Sequence, residues 1–251
     1  IPASKVVESE YKKLENLENK LKEKIVGQDE AVELVSKAIK RTRVQLSKRR
    51  RPASFIFVGP TGVGKTELVK VLAAELFDGT DPLIRLDMTE YMERHSVSRL
   101  IGAPPGYIGF DEGGKLTEAV RRRPYCLVLL DELEKAHPEV LGLLLQIMEE
   151  GELTDSTGRV VSFKNTIVVM TSNVGGENKG EGLGFCAQGK QGQFAQALQE
   201  RFTPEFLGRL DGTVYFEALQ KETMEAIAQK YLRDLQRRSA GAGGLLVLPG
   251  G

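Results

Sequence analysis

One eight-residue stretch constrains the fold of this 251-residue chain more than any other. It reads Gly59-Pro60-Thr61-Gly62-Val63-Gly64-Lys65-Thr66, with the spacing G-x-x-x-x-G-K-T. An apolar run over 54–58 precedes it, and residues 67–76 have the apolar spacing of a helix. Strand, glycine-rich loop and helix in this order are the setting in which such a sequence binds phosphate groups. The stretch therefore predicts a phosphate-binding loop, called the phosphate loop below.

The residue types of the phosphate loop explain how it would bind a nucleotide. Glycines let the backbone curl so that several N–H groups point at phosphate oxygens. A helix that begins near Gly64 adds the positive end of its dipole. In such loops the lysine, here Lys65, reaches the β- and γ-phosphates, and the hydroxyl of Thr66 holds Mg²⁺. The loop predicts nucleotide binding but leaves open what is done with the nucleotide.

The apolar runs along the chain predict the fold class. Runs at 83–87, 126–130, 166–170 and 213–216 alternate with segments of helical spacing. Strands that alternate with helices indicate an α/β fold, here a doubly wound domain with a five-stranded, mostly parallel sheet flanked by helices. Ligands of such sheets bind at the carboxyl ends of the strands, so the functional residues are expected there.

Charge and hydropathy exclude some classes of partner. Charged residues make up 28% of the chain, and their formal charges cancel to +0. Such a chain has no overall attraction to nucleic acid or to an anionic membrane surface. No apolar run approaches the roughly 20 residues that a membrane-spanning helix needs. We therefore expect neither nucleic acid nor membrane as a partner.

Polar residues follow two of the predicted strands. Asp131 and Glu132 come directly after the run that ends at Leu130, and Asn173 follows the next strand. An aspartate beside a phosphate loop can hold Mg²⁺ through water, and an adjacent glutamate can activate a water for attack on the γ-phosphate. The alternatives are an acidic helix cap for the pair and a turn residue for Asn173. The phosphate loop upstream favours the catalytic interpretation.

Together, the phosphate loop, residues 131–138 and residues 171–173 resemble the AAA+ ATPases. More narrowly, they resemble the second ATPase module of the Clp-type heat-shock unfoldases, of the ClpA and ClpC kind. Further matches to that family lie at 25–29, 90–102 and 106–110. The resemblance extends to about residue 238, and it implies an ATPase that uses ATP, releases ADP and requires Mg²⁺.

The resemblance also implies roles for individual residues. Asp131 and Glu132 correspond to the Walker B pair, with Asp131 at the Mg²⁺ and Glu132 as the catalytic base. Asn173 corresponds to the first sensor, and Ile25 and Val26 correspond to residues beside the adenine. These assignments come from the family, because spacing alone does not distinguish them.

Residues 203–211 match the family segment that carries an arginine finger, which is Arg209 in this chain. The family places this arginine against the γ-phosphate of the neighbouring subunit, where a guanidinium stabilises the charge of the transferring phosphoryl group. A surface arginine in an ion pair is the alternative. The chain has Gly208 where the family usually has Asn, which loosens the backbone beside the finger.

Two further segments concern the substrate. Tyr107 and Ile108 lie between Gly106 and Gly109, and an exposed aromatic residue on a glycine-rich loop suggests a gripping contact. The resemblance places this loop in the pore of a homo-hexamer, where it pulls unfolded polypeptide, and it places the loop over 152–159 in the same pore.

The second segment is Leu183-Gly184-Phe185. It lies where unfoldases that feed a peptidase carry a docking tripeptide, although a chance apolar turn would look the same. The leading hypothesis is therefore an unfoldase and translocase that delivers polypeptide to a Clp-type peptidase. Alternatives are a disaggregase chaperone that needs no peptidase, a nucleic-acid-acting AAA+ ATPase, which would want a basic face, and a small-molecule kinase with a phosphate loop but no oligomer.

The resemblance divides the chain into two domains. Residues 1–217 are predicted to form the large α/β ATPase domain, and residues 218–251 the start of a small helical lid. The Gly-Ala-Arg that supplies the family's second sensor does not occur in the sequence. The chain alone is therefore expected to bind ATP, to hydrolyse it slowly and to form hexamers poorly. The family's location is the bacterial cytoplasm, or an organelle matrix or stroma.

Overall fold

A computed structural model describes most of the chain in two compact units, Ile1–Glu217 and Ala218–Gly251. The described residues are 13–45, 50–79, 81–103, 113–175 and 190–241. The described part of the second unit is mainly a single helix, Lys221–Gly241.

Seven strands form two sheets among the described residues of the first unit. The strands are β1 Ala53–Val58, β2 Leu83–Asp87, β3 Leu127–Asp131, β4 Glu152–Thr154, β5 Val160–Ser162, β6 Ile167–Ser172 and β7 Gly212–Tyr215. The larger sheet has the order β2-β3-β6-β1-β7, and every neighbouring pair is parallel. The prediction of an α/β fold with a five-stranded sheet is confirmed, and this sheet is parallel throughout.

Nine α-helices occur in the described part of the chain. They are α1 Leu17–Lys24, α2 Asp29–Gln45, α3 Lys65–Leu76, α4 Arg94–Ile101, α5 Lys115–Arg122, α6 Pro138–Glu150, α7 Lys190–Arg201, α8 Pro204–Arg209 and α9 Lys221–Gly241. Short 3₁₀ helices span Met88–Tyr91 and Leu133–Lys135. None of the helices among the described residues is both long enough and apolar enough to span a membrane.

The order of the strands decides which strand ends lie side by side. Strands β1, β3 and β6 are buried along their whole length, as expected for the middle of a parallel sheet with helices on both faces. Strand β6 lies between β1 and β3. The phosphate loop after β1, Asn173 after β6 and Asp131 at the end of β3 therefore follow one another along the same edge of the sheet.

The segment over 88–101 contains a 3₁₀ helix and a separate α-helix. The side chain of Asp87 accepts a hydrogen bond from the backbone N of Thr89 (3.0 Å) and so caps a 3₁₀ helix that ends at Tyr91. Helix α4 begins only at Arg94. Tyr91 is buried, and the guanidinium of Arg99 lies 5.4 Å from the centre of its ring.

The segment over 152–159, predicted as a loop, is part of a small antiparallel hairpin of β4 and β5. Its turn is organised by the buried carboxylate of Asp155, which accepts hydrogen bonds from the backbone N of Thr157 and of Arg159 (both 2.9 Å) and from the Arg159 guanidinium (2.8 Å). Burial acts to raise the pKa of Asp155, but the hydrogen bonds from Thr157 and Arg159 outweigh it and lower the pKa to about 2. Strands of three residues are too short to show a periodic pattern.

Helix α6 is followed directly by Gly151, a glycine that the fold requires. Gly151 has φ 76°, and a Cβ there would lie 1.9 Å from the carbonyl oxygen of Arg50. We expect Gly151→Ala to lower the free energy of unfolding by at least about 2 kcal/mol, because left-handed backbone alone costs a residue with a Cβ about 1–2 kcal/mol. Urea denaturation measures this change.

Gly142, within the same helix, is the matched control. A Cβ there would meet nothing within 4 Å. Gly142→Ala is expected to raise the free energy of unfolding by about 0.5–1 kcal/mol, since alanine is the better helix residue. Equal effects of the two alanines would contradict the assignment of Gly151.

Candidate nucleotide-binding site

The phosphate loop connects β1 to α3, as predicted. Gly64 precedes the first residue of α3 with φ 102°, and Gly62 has φ 79°. Both lie in the left-handed region, which glycine enters without a steric penalty. The glycines of the motif therefore allow the chain to turn from the end of a buried strand directly into the start of a helix.

A cavity of about 400 Å³ opens at the phosphate loop. Its lining residues are Thr61, Gly62, Gly64, Lys65, Thr66, Glu67, Lys70, Arg85, Asp131, Glu132 and Asn173. The structure thus brings the loop together with the acidic pair and the predicted sensor. Gly59, Pro60 and Val63 belong to the loop without lining the cavity, and Ile25, Val26 and Arg209 do not line it either. Tyr107, Ile108, Leu183, Gly184 and Phe185 lie outside the described residues.

Lys65 is the most buried cation of the cavity, with 7% of its surface exposed. Its ammonium donates hydrogen bonds to the carbonyl oxygens of Gly59 and Pro60 (both 2.6 Å) and to Oδ1 of Asn173 (2.9 Å). Burial lowers the pKa of Lys65 to about 8, although nearby carboxylates, Glu134 first among them, act to raise it. To bind a phosphate, the ammonium would exchange protein oxygens for phosphate oxygens.

The carboxylate of Asp131 is held from two neighbouring strands. Its Oδ1 accepts a hydrogen bond from the Thr171 hydroxyl on β6 (2.5 Å), and its Oδ2 is 2.6 Å from Nη2 of Arg85 on β2. The Thr171 oxygen also accepts a hydrogen bond from the backbone N of Glu132 (3.0 Å). One hydroxyl group therefore fixes both members of the acidic pair.

Glu132 has a backbone conformation that fits a functional residue. It has φ 57° and ψ 53°, and it is the one non-glycine residue with positive φ in the part of the chain that the structure describes. Such strained positions often occur at functional sites. The Glu132 side chain makes no capping hydrogen bond to the 3₁₀ helix that follows, and Asp131 bonds to Thr171 and Arg85 instead. The helix-cap alternative is therefore not what the structure shows.

The donor atoms of the cavity fit a nucleotide with Mg²⁺. Oxygen ligands are those that Mg²⁺ prefers, and the Thr66 hydroxyl and the Asp131 carboxylate line the same cavity. Among the residues that the structure describes, no group of three or more His, Cys, Asp or Glu side chains could hold a metal. Mg²⁺ at nucleotide sites commonly takes only one or two ligands from the protein and the others from phosphate oxygens and water.

Asn173 connects the cavity to the rest of the domain. Its side-chain oxygen faces Lys65, and its backbone N donates a hydrogen bond to Oε1 of Glu134 (3.1 Å). The backbone oxygen of Glu134 in turn accepts hydrogen bonds from the guanidinium of Arg201, at the end of α7. Glu134 lies within the segment 131–138 that resembles the family, so the sequence marks its position. The sequence does not predict its hydrogen bonds to Asn173 and Arg201.

The N-terminal segment contacts the phosphate loop through a residue without a predicted role. Ile25 is buried and Val26 half-buried at the end of α1. The buried side chain of Gln28 donates hydrogen bonds to the carbonyl oxygens of Val63 (3.0 Å) and Glu217 (2.9 Å). Gln28 thus connects the phosphate loop to the backbone at Glu217.

Arg209 is the last residue of α8 and lies away from the cavity of its own chain. Its Nη2 is 2.6 Å from Oε1 of Glu149, and 48% of its side chain is exposed. The exposed guanidinium of Arg209 is compatible with a role in the nucleotide site of another subunit, and that role stays a prediction. A Cβ at Gly208 would meet nothing within 4 Å, so the departure from the family pattern is not required by packing.

The Thr171 hydroxyl gives a test of the acidic pair. We expect Thr171→Val to slow ATP hydrolysis and to lower the free energy of unfolding by about 1–3 kcal/mol, because a buried carboxylate loses a hydrogen bond. Steady-state ATPase assays and denaturation measure the two effects. Thr166→Val is the control, since the buried Thr166 hydroxyl donates only to the carbonyl of Phe163 (2.8 Å). An equal loss of hydrolysis in both variants would contradict a specific role for Thr171.

The sheet order, the phosphate loop and the acidic cavity define a P-loop nucleoside triphosphatase. Residues 50–213 match the family model described as AAA domain (Cdc48 subfamily). This match covers more than half of the chain, and the chain belongs to that family. It is therefore an ATPase domain of the AAA+ class.

Several curated proteins are similar to the chain over nearly all of its length. It is 54% identical over 241 residues to Chaperone protein ClpB 1 of Synechococcus elongatus, and 52% identical over 244 residues to Chaperone protein ClpB of Bacillus cereus. These alignments cover 95% and 96% of this chain but 28% of each relative. The prediction of a Clp-type ATPase module is confirmed, with ClpB as the named similarity in place of ClpA or ClpC.

Proposed function

We propose that this chain is the ATP-hydrolysing module of a disaggregase chaperone that works without a peptidase. The observation that carries the proposal is the identity of 54% over 241 residues to a protein named as a ClpB chaperone. It favours the alternative over the leading hypothesis of delivery to a Clp-type peptidase. Because the chain spans 28% of that relative, the activity of the whole protein is part of the proposal. The proposed location is the cytoplasm of a bacterium.

The cavity supplies half of the proposed reaction. Lys65 binds the β- and γ-phosphates with its ammonium, and the first turn of α3 contributes backbone N–H groups. Glu132 accepts the proton of the attacking water, and the amide of Asn173 orients that water. Thr66 and Asp131 would hold Mg²⁺, which would supply positive charge to the phosphate oxygens. The half-exposed Arg209 completes the site of a neighbouring subunit in a homo-hexamer.

The remaining parts of the proposal concern the substrate and the domains. Tyr107 and Ile108 grip unfolded polypeptide in the pore, and the hairpin of β4 and β5 contributes a second contact. Residues 1–217 act as the ATPase domain and residues 218–251 as the start of a helical lid. This division agrees with the two compact units of the chain.

A reactivation assay tests the function. The complete gene product is incubated with a heat-aggregated model enzyme and ATP, with no peptidase present. We expect ATP-dependent recovery of the enzyme's activity, and no recovery with Glu132→Gln. Absence of recovery, together with degradation of an unfolded substrate after a Clp-type peptidase is added, would instead support delivery to a peptidase. In that case Leu183→Ser with Phe185→Ser should abolish the degradation and leave ATP hydrolysis intact.

A further inference from the structure

The last turn of α6 contacts the side chain of Arg209 directly, and it contacts the Arg209 backbone only through the guanidinium of Arg51. The side chain of Glu149 contacts the guanidinium, with 2.6 Å between Oε1 and Nη2. The guanidinium of Arg51 donates to the carbonyl oxygen of Arg209 (3.0 Å) and reaches the carbonyl oxygen of Met148 (3.4 Å). The position of Arg209 therefore depends on the last turn of α6, through Glu149 and through Arg51.

The helix itself gives no electrostatic reason for a carboxylate at Glu149. The last turn of α6 contains Glu149 and Glu150 but no basic residue. The carbonyl end of a helix carries partial negative charge, so carboxylates there are unfavourable. Arg209 comes from a different helix, and it provides the positive charge that Glu149 lacks within α6. The ion pair with Arg209 therefore compensates the unfavourable position of the Glu149 carboxylate.

The ion pair leaves Arg209 able to act on another molecule. A guanidinium has five N–H donors, and the contact with Glu149 involves Nη2. About half of the side chain is exposed, at 48%. The contact with Glu149 therefore leaves other N–H donors of the planar group for phosphate oxygens. Glu132, the 3₁₀ helix Leu133–Lys135 and helix α6 also follow one another along the chain.

We propose that Glu149 is a positioning residue that orients Arg209 toward the nucleotide of the neighbouring subunit. The proposal rests on the proposed function, in which Arg209 acts between subunits. Without the carboxylate, the long arginine side chain samples several rotamers, and the guanidinium is misplaced when the phosphoryl group transfers. Misplacement by about 1 Å can slow a reaction by about a hundredfold.

Mixed assemblies of the complete gene product test this proposal. Subunits with Glu132→Gln keep Arg209 but lack the base, and subunits with Arg209→Ala keep the base but lack the finger. Their mixture is expected to hydrolyse ATP faster than either alone. Adding Glu149→Gln to the Glu132→Gln subunits should lower the rate of the mixture by about tenfold or more. Adding it to the Arg209→Ala subunits should change the rate less than about twofold, because those subunits have no finger to position.

Glu150→Gln, placed in the Glu132→Gln subunits, is the matched control. Glu150 lies next to Glu149 and accepts a hydrogen bond from Gln146 (3.1 Å). It is expected to leave the mixed rate unchanged, and sedimentation verifies that every mixture assembles. No gain of activity on mixing would contradict the proposed function itself. A gain on mixing with equal losses for both placements of Glu149→Gln, or with the same loss for Glu150→Gln, would overturn the inference about Glu149 alone.

Discussion

Replacing Glu132 with Gln is expected to slow ATP hydrolysis by about a hundredfold to ten-thousandfold, the usual contribution of a general base. Gln has nearly the shape of Glu but cannot accept the proton of the attacking water. It also keeps the backbone N–H that donates to Thr171. ATP affinity should stay within about threefold, since the phosphate contacts come from other residues.

Steady-state hydrolysis and equilibrium nucleotide binding, measured on the same preparation, separate the two effects of Glu132→Gln. Glu139→Gln is the chemical control, because Glu139 is an exposed residue that pairs with Arg94 (2.7 Å). Such surface pairs contribute about 0–1 kcal/mol, so hydrolysis should be unaffected. Hydrolysis by Glu132→Gln at the unchanged rate would remove Glu132 from the proposed mechanism.

Replacing Lys65 with Met is expected to weaken ATP binding by about a hundredfold or more, since charged hydrogen bonds contribute about 1.5–3 kcal/mol each. Methionine keeps the aliphatic part of the side chain and loses the ammonium. Titration with a fluorescent ATP analogue measures the affinity, and thermal denaturation without nucleotide verifies that the variant is folded.

Lys37→Met is the control for Lys65→Met. Lys37 is exposed on α2, where it pairs with Glu33 (2.5 Å). The same chemical change at that position should leave ATP affinity unaltered. Equal affinity for ATP in the Lys65 and Lys37 variants would contradict the assignment of Lys65 to the phosphates.

The fold could be predicted because its buried strands are continuous apolar runs. All five strands of the large sheet lie within two residues of their predicted positions. The hairpin of β4 and β5 was missed because each strand has three residues. Helix α8 was missed for a similar reason, since its six residues cannot show a helical repeat.

The partners of the site residues were harder to predict than the residues themselves. Asp131 and Glu132 were found because they follow an apolar run, but Thr171 and Arg85 reach Asp131 only because β6 and β2 lie on either side of β3. The alternation of apolar and polar residues indicates which face of a strand is buried. It does not indicate which strands lie beside it in the sheet. The contact between Glu149 and Arg209 likewise joins two helix ends that are far apart in the chain.

The preference for a peptidase partner rested on three residues, Leu183-Gly184-Phe185. A tripeptide carries much less information than an alignment of 241 residues at 54% identity. That similarity favours a chaperone function, and the reactivation assay decides between the two.

The hydrogen bonds of Gln28 determine how far the domain can be shortened before the phosphate loop loses a contact. The segment that matches the family begins at residue 50 and ends at residue 213, and it contains the phosphate loop, Asp131, Asn173 and Arg209. It excludes both Gln28 and Glu217, whose carbonyl oxygen Gln28 binds together with that of Val63. A protein trimmed to the matched segment would keep the phosphate loop, Asp131, Asn173 and Arg209, but it would lose the hydrogen bond that Gln28 donates to the phosphate loop at Val63. The smallest piece that retains both hydrogen bonds of Gln28 begins at or before residue 28 and continues through residue 217.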